Sequence, residues 1–450
     1  MNAKENIANI KKNILNSEVA VKVIENSGWL VGDKLFAMLI GVFVTAIIAR
    51  YFGPENFGQY NYALSFVALF TAFSTLGLET LTVKSILDKD FDEGTVLCTS
   101  LVLRVIGGVF LTSVAFVSIR IIEPSDQNLH ILVLIMSLAM VIKALEVIEY
   151  WIQAYQKSKI SSIIRMGAYV ISAGLQLALV IFKGNLVHYA IIYMFNALII
   201  GIGLMIAYSR NKEVDYKWRF DLKYAKKILS KSWYLILSGL MVTLYMKIDQ
   251  VMLGAMMPTK SEVGVYSAAV QVASMWYFVP MAIIVSFKPV IMMKKKTNQE
   301  SYINSVQILY TIVTWISIAF GIFILIFSSF IIGVLYGSDF SKAANILSIS
   351  IWAGTFAMIG TASSTWLVCE GLHKYNTVFV FSGAVSNITL NILLIPTLGG
   401  YGAAIATLVS QFIANVVTPA FFKEVRVNSV MIFRAFTLYS FRNKYDIDRS

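Results

Sequence analysis

Apolar residues run along this chain in stretches too long for the core of a soluble domain. Val263–Phe287, Ser301–Ser338, Ala343–Cys369 and Tyr375–Phe422 contain no Asp, Glu, Lys or Arg. A helix needs about 20 apolar residues to cross a bilayer, so the last stretch is long enough for two crossings. Its Pro396-Thr-Leu-Gly-Gly-Tyr-Gly402 segment supplies the turn between them. Extended over the whole chain, the pattern predicts twelve spans, near 28–50, 58–80, 96–119, 129–151, 160–182, 187–208, 232–254, 263–287, 303–327, 343–369, 375–395 and 402–422. The expected fold is an all-α polytopic membrane protein. Composition agrees: of the 450 residues 58% are hydrophobic and 14% charged, against about 25% charged in a typical soluble domain.

Loop charge then sets a direction. Of 37 Lys and Arg, 28 fall on the side of the N-terminus and five (Arg50, Arg120, Lys183, Lys260, Lys342) on the other; the remaining four lie within spans. By the positive-inside rule both termini are expected in the cytoplasm. The net charge of +12 then reflects topology and anionic lipid headgroups, and nucleic acid is not an expected partner. The first 27 residues are polar and lack the apolar core of a cleavable signal peptide, so the first span serves as the targeting signal.

Two flanking segments have amphipathic spacing. Ile7, Ile10, Ile14, Val21 and Ile24 recur at helical steps with Lys11, Lys12 and Lys22 between them. Between the sixth and seventh spans, Asp221 can cap a helix with Leu222, Ala225, Ile228 and Leu229 on one side and Lys223, Lys226, Lys227 and Lys231 around the rest. Helices of this kind lie in the headgroup plane, although an ordinary solvated linker is the other reading of the second segment.

A weak internal repeat is in register with the spans. Gly58-Gln-Tyr60 opening the second span recurs as Gly264-Val-Tyr266 opening the eighth, and Trp151-Ile-Gln-Ala-Tyr-Gln-Lys-Ser-Lys159 aligns with Trp366-Leu-Val-Cys-Glu-Gly-Leu-His-Lys374. The same register sets Gly184 on Gly399. The chain therefore divides into an amphipathic N-terminal segment (1–27), a six-helix lobe (28–208), a basic linker (209–231), a second six-helix lobe (232–422) and a basic tail (423–450). Repeat-built transporters carry their substrate between the halves near the midplane, here expected as a central cationic cavity, and alternate access by rocking one half against the other.

The charges inside spans carry the chemistry. Lys34, Arg104, Lys143 and Lys247 sit within apolar runs, where an ionisable group costs at least about 2.5 kcal/mol and usually marks a substrate or ion path. At about 1.5 Å per residue Arg104 and Lys143 lie roughly 12 Å deep and Lys247 roughly 22 Å, so the cations sample several depths. That arrangement suits an anion. Carboxylates in spans are Asp33, Glu79, Glu146, Glu149 and Asp249. Lys143 and Glu146 share a helical face, so mutual neutralisation stands beside a substrate role for Lys143, and Lys34 has a second reading in snorkelling to the interface. Arg104 and Lys247 have no carboxylate three or four residues away. Asp249 and Glu146 are the candidates for coupling to H⁺ or Na⁺.

Other chemistry is excluded. Cys98 and Cys369 are far apart, and His130, His188 and His373 have no metal-ligand spacing, so neither metal nor other cofactor is expected. No phosphate-binding Gly-rich motif occurs, nor any soluble segment large enough for an ATPase domain, and no enzymatic activity is expected.

Two motifs bring a resemblance. Ala49-Arg-Tyr-Phe-Gly-Pro-Glu-Asn-Phe-Gly-Gln-Tyr60 resembles the signature of bacterial polysaccharide-biosynthesis flippases of the Wzx type, and Lys247-Ile-Asp-Gln-Val-Met-Leu-Gly254 resembles the same family and the wider superfamily that includes the multidrug and toxin extruders. The resemblance covers essentially the whole chain. It implies a multi-pass protein of the bacterial inner membrane that moves undecaprenyl-diphosphate-linked oligosaccharide repeat units from the cytoplasmic to the periplasmic leaflet. It also implies a cationic lumen, lipid partners, and polysaccharide polymerase and chain-length proteins as neighbours. Within the first motif, Gly53-Pro54 is expected to stop the helix, Gly58 to allow tight entry to the second span, and Arg50 to cap carbonyls at the end of the first span. The alternatives are an ion-coupled drug exporter on the same fold, a lipid II flippase, and a non-transporting scaffold. Unpaired Arg104 and Lys247 argue against the first. Only the short Asn428–Phe441 segment remains for the two further spans usual in the second, and a scaffold needs no charges at several membrane depths.

Overall fold

The computed structural model describes residues 18–212 and 216–437, which form helices and turns with no strand among them. The expected amphipathic segment at 1–27 lies mostly outside the described residues, as does the tail beyond 437. Eleven stretches among the described residues are long and apolar enough to cross a membrane. The first, Gly28–Asp88, has 61 residues. At 1.5 Å per residue that is about 90 Å, three times a bilayer core, so it holds the first two spans. The twelve spans read from the sequence are thus present, and the protein is a multi-pass membrane protein.

Helix α1 (Glu18–Ser74) is broken at Gly53, whose φ of 69° and ψ of 173° lie outside helical geometry, and Pro54 follows it. Proline suits this place because the first turn of a new helical stretch has no acceptor for its missing N–H. Next come α2 (Leu78–Asp88), α3 (Glu93–Ile122) and α4 (Gln127–Ile142). A 3₁₀ turn at Lys143–Glu146 joins α4 to α5 (Val147–Ala154), and α6 (Ser158–Ile181) and α7 (Leu186–Asn211) follow. After the linker come α8 (Leu222–Met256), α9 (Ser261–Met275), α10 (Phe278–Thr297), α11 (Gln299–Tyr336), α12 (Lys342–Cys369) and α13 (Lys374–Leu398). Helix α14 (Gly400–Phe412) ends in a π turn at Ile413–Val417, and α15 (Arg426–Phe436) is the last.

Two compact units result: described residues 18–44 with 70–239, and 45–69 with 240–437. In the first, Leu97, Val147, Ile148, Trp151, Ile200 and Leu204 form a buried core that also takes in Tyr224 and Ile228 from the start of α8. In the second, α15 packs on α11: Gln307 Nε2 donates to the Met431 carbonyl at 3.0 Å, and Trp315 Nε1 to that of Ala435 at 3.1 Å.

The linker helix differs from the sequence expectation. Asp221 does cap it, accepting the Tyr224 N–H at 2.6 Å. However, α8 continues unbroken into the seventh span, because no proline interrupts 222–256. Ala225 and Ile228 are buried, whereas Leu222 and Leu229 face outward (60% and 37% exposed). A separate helix in the headgroup plane therefore does not form.

Candidate functional site

The first unit holds Arg104, Lys143 and Arg165 together with Asp33, Glu146 and Glu149 within its membrane-spanning helices. Arg104, on α3, is 5% exposed. Its Nη1 donates to the Tyr150 hydroxyl at 3.2 Å, the guanidinium lies 5.7 Å from that ring, and its Nε is buried without a partner. Lys143 reaches α7, where Nζ donates to the Tyr193 hydroxyl at 3.2 Å. A 3₁₀ turn has three residues per turn, so Lys143 and Glu146 stack on one face. No ion pair joins them among the described residues, yet Glu146 and Arg104 both act electrostatically on Lys143. Glu146 thus acts on the lysine without a direct bond to it.

One ion pair in this unit's interior was missed by the sequence reading. Arg165 on α6 meets Glu149 at 3.3 Å, and Arg165 also acts on Asp33, which is 7% exposed with Oδ1 unpartnered. Arg165 was counted with the basic end of its span. Its position five residues into an apolar helix was the signal that could have found it. Glu79 is exposed and accepts Gln153 Nε2 at 2.9 Å, and Lys34 is exposed beside Asp33. The structure thus brings Arg104 and Lys143 together and leaves Lys34 at the surface.

Lys247 and Asp249 belong to the second unit. Lys247 is half-buried and forms no hydrogen bond or ion pair among the described residues. Asp249 is 5% exposed and takes three hydrogen bonds. Tyr266 OH donates at 2.6 Å, Asn391 Nδ2 at 2.6 Å, and Thr407 Oγ1 donates as well. All three donors are neutral, so the carboxylate has no counter-cation in contact. Asn391 Oδ1 and Asn387 Nδ2 are buried without partners beside it. Together the Asp249, Thr407, Tyr266, Asn387 and Asn391 oxygens make an oxygen-rich cluster of the kind hard cations prefer. The cluster borders a cavity of about 390 Å³ lined also by Tyr245, Gln250, Tyr277, Thr361, Gln411 and Asn415. Sequence reasoning named Asp249 but none of its partners. Asn387 and Asn391, four residues apart in a run without charge, were the available clue. Among the described residues no cluster of His, Cys, Asp and Glu has metal-ligand composition.

The 49–60 motif builds a corner of the second unit. Arg50 Nη2 donates to the Gly333 carbonyl at 3.1 Å and to that of Val334. It therefore caps the C-terminus of α11, not the end of its own span as expected. The chain simply continues past Arg50 for a further turn before Gly53 breaks it. Glu55 accepts the backbone N–H groups of Lys260 at 3.0 Å and Ser261 at 2.8 Å, capping α9. Gly58 lies inside a helix, so its role is contact and not a turn. A Cβ there would strike the Lys260 carbonyl, and one on Gly264 would strike that of Pro54. The two glycines aligned by the repeat thus pack backbone to backbone.

Residues 23–295 match the family described as polysaccharide biosynthesis protein, and residues 235–393 match MatE. The chain belongs to the polysaccharide biosynthesis protein family. Within this family's reach, one relative is the probable low-salt glycan biosynthesis flippase Agl15 of Haloferax volcanii, 29% identical over 51% of this chain and 48% of that protein. Another is the capsular polysaccharide biosynthesis protein CapF of Staphylococcus aureus, 23% identical over 90% of this chain and 100% of that one. The chain thus spans about half the length of the first relative and all of the second. Among solved structures, the lipid II flippase MurJ in an inward closed conformation superposes with a TM-score of 0.71 at 15% identity, over 91% of this chain and 92% of that one. An inward-facing multidrug resistance MATE transporter of the MOP superfamily gives 0.67 at 16% identity, over 89% and 96%. The family's fold is therefore the two-lobed fold of that superfamily.

Proposed function

We propose that the protein is a flippase that carries undecaprenyl-diphosphate-linked oligosaccharide repeat units from the cytoplasmic to the periplasmic leaflet of the inner membrane, by alternating access, for surface polysaccharide assembly. The observation that carries this reading is Arg104. It is a buried guanidinium with an unpartnered Nε, its hydrogen-bond partner among the described residues is a neutral tyrosine, and it lies close enough to Lys143 to feel its charge. Leaving a buried donor unsatisfied costs about 1–3 kcal/mol, a deficit that a bound anion removes. A diphosphate supplies several acceptor oxygens, and arginine can engage two of them at once. In this account Arg104 and Lys143 receive the diphosphate, Lys247 offers a further unengaged cation, and Lys34 marks the outer limit of the charged region. Asp249 is the coupling group for H⁺ or Na⁺, and Glu146, beside Lys143, is the second. Both termini are taken as cytoplasmic, on loop charge.

Each charge-assisted bond lost on Arg104→Gln is worth about 1.5–3 kcal/mol, or roughly 10- to 150-fold in diphosphate affinity. In a strain lacking the gene, the wild-type chain should restore surface glycan, whereas Arg104→Gln, inserted at equal level, should leave lipid-linked oligosaccharide on the inner leaflet. Full restoration by the variant would end the lumen-cation reading. The unit-two cavity, lined by Tyr245, Tyr266 and Tyr277 next to Asp249, favours a second reading as an ion-coupled exporter of cationic drugs. Unchanged glycan with altered drug sensitivity in the deletion strain would select it.

A further inference from the structure

We infer that Lys84, Lys227 and Lys231 form a receiving site for the diphosphate headgroup of a membrane lipid, held closed at rest by Asp90. The three lysines come from two elements, α2 and α8, and all act on the one carboxylate of Asp90 in the loop before α3. Lys227 bonds it directly at 2.8 Å, and that bond is the main reason the Asp90 carboxyl is held below its usual range. Lysines on separate helices repel one another, and here they converge around a cavity of about 290 Å³ that also exposes Ser85 and Asp88. Asp90 occupies this cluster as a phosphate would, with one negative charge where a diphosphate brings more. It is an exposed loop side chain.

What surrounds the cluster points to a lipid. Leu229, Trp233 and Leu237 recur at four-residue steps along α8, on a different face from Lys227 and Lys231, and are 37%, 63% and 46% exposed. Leu87, three residues beyond Lys84, is 60% exposed. A lysine cluster at the start of a helix that becomes a membrane span, with exposed Leu87 three residues beyond Lys84 and exposed Trp233 near the same level of α8, fits an amphiphile whose charged head lies at the interface. This site is separate from Arg104 and Lys143. Its biological use, receiving substrate before translocation, rests on the flippase reading, whereas its binding chemistry does not.

The test uses the full-length protein in lipid nanodiscs with a photoreactive farnesyl diphosphate, and reads crosslinking in peptides covering 84–91 and 222–237. Lys84→Gln/Lys227→Gln/Lys231→Gln should cut labelling there about tenfold or more, and Asp90→Asn should raise it several-fold, as removal of an internal competitor requires. Unlabelled farnesyl diphosphate should compete, and neither phosphatidylglycerol nor inorganic pyrophosphate should do so at equal concentration. Equal competition by phosphatidylglycerol would make this a general phospholipid site, and equal competition by pyrophosphate a site for free anions. Either result overturns the proposal, as do unchanged labelling in the triple variant and weaker labelling in Asp90→Asn. All four residues are exposed, so thermal unfolding of the variants should match wild type. Arg104→Gln should leave labelling at these peptides unchanged, so a failure of the export reading stays distinguishable from a failure here.

Discussion

Replacing Asp249 separates the role of its shape from that of its charge. In Asp249→Asn, Oδ1 still accepts from Asn391, while the new amide donates where Oδ2 accepted. The Tyr266 and Thr407 hydroxyls can rotate to accept instead, since a hydroxyl both donates and accepts. The hydrogen-bond count is kept and volume is unchanged, so the cost should be about 1 kcal/mol or less. In Asp249→Ala each former partner keeps a second acceptor: Thr407 Oγ1 has the Ala403 carbonyl at 2.9 Å, Tyr266 has Thr407 at 3.3 Å, and Asn391 has Asn387 at 3.2 Å. The three bonds to residue 249 are nevertheless lost and not replaced, at about 1 kcal/mol each, giving about 3 kcal/mol in total. The two variants should therefore differ clearly in detergent thermal unfolding, read alongside cation-dependent transport in proteoliposomes. Asn should be nearly as stable as wild type yet lose the response of transport to the H⁺ or Na⁺ gradient. An Asn variant that keeps its gradient response would refute the coupling assignment, and equal destabilisation by Asn and Ala would show that the charge holds the helices together.

Two further predictions concern packing and the other unit. Gly58→Ala drives a Cβ into the Lys260 carbonyl, and backbone cannot give way as a side-chain tip can, so a loss of about 3 kcal/mol, the upper end for overpacking, is expected. Gly264→Ala should behave alike, and the double variant should cost less than the sum, because both open the same contact. In the first unit, Arg165→Met should destabilise more than Glu149→Gln, because it removes a cation that acts on Asp33, Glu146 and Glu149 together, whereas Glu149→Gln leaves Arg165 near two other carboxylates. Breaking a buried pair costs about 3–5 kcal/mol, and the lower figure applies because the Arg165 side chain is 23% exposed. Removing both partners should recover part of the loss in unfolding measurements, and the reverse order of the single variants would count against this charge arrangement.

The spans were legible because a bilayer demands long apolar runs, and Val263–Phe287 or Tyr375–Phe422 have no competing interpretation. Contacts between distant segments were not. Nothing in 45–69 announces that it packs with residues beyond 240, although Gly58 and Gly264, found as a repeat, turn out to touch. Asp249 stood out as a charge in an apolar helix, while Tyr266, Asn391 and Thr407 are neutral and come from three other helices. Arg165 was hidden by its neighbours, since Lys157 and Lys159 just before it led it to be counted with the basic end of its span. The α8 linker shows the same limit: spacing identified its capped, amphipathic start, but only packing of Tyr224 and Ile228 into the first unit's core decides which way it faces.

The central claim is that Arg104 and Lys143 move a diphosphate-linked glycan across the bilayer. It is tested most directly by reconstituting the purified protein into liposomes with a fluorescent undecaprenyl-diphosphate oligosaccharide and following the loss of label protected from an impermeant quencher. Wild type should speed translocation well above empty liposomes, and Arg104→Gln/Lys143→Gln should lower that rate at least about tenfold, as expected from losing one or more charge-assisted bonds. A wild-type rate no faster than empty liposomes, or an undiminished rate in the double variant, would contradict the account.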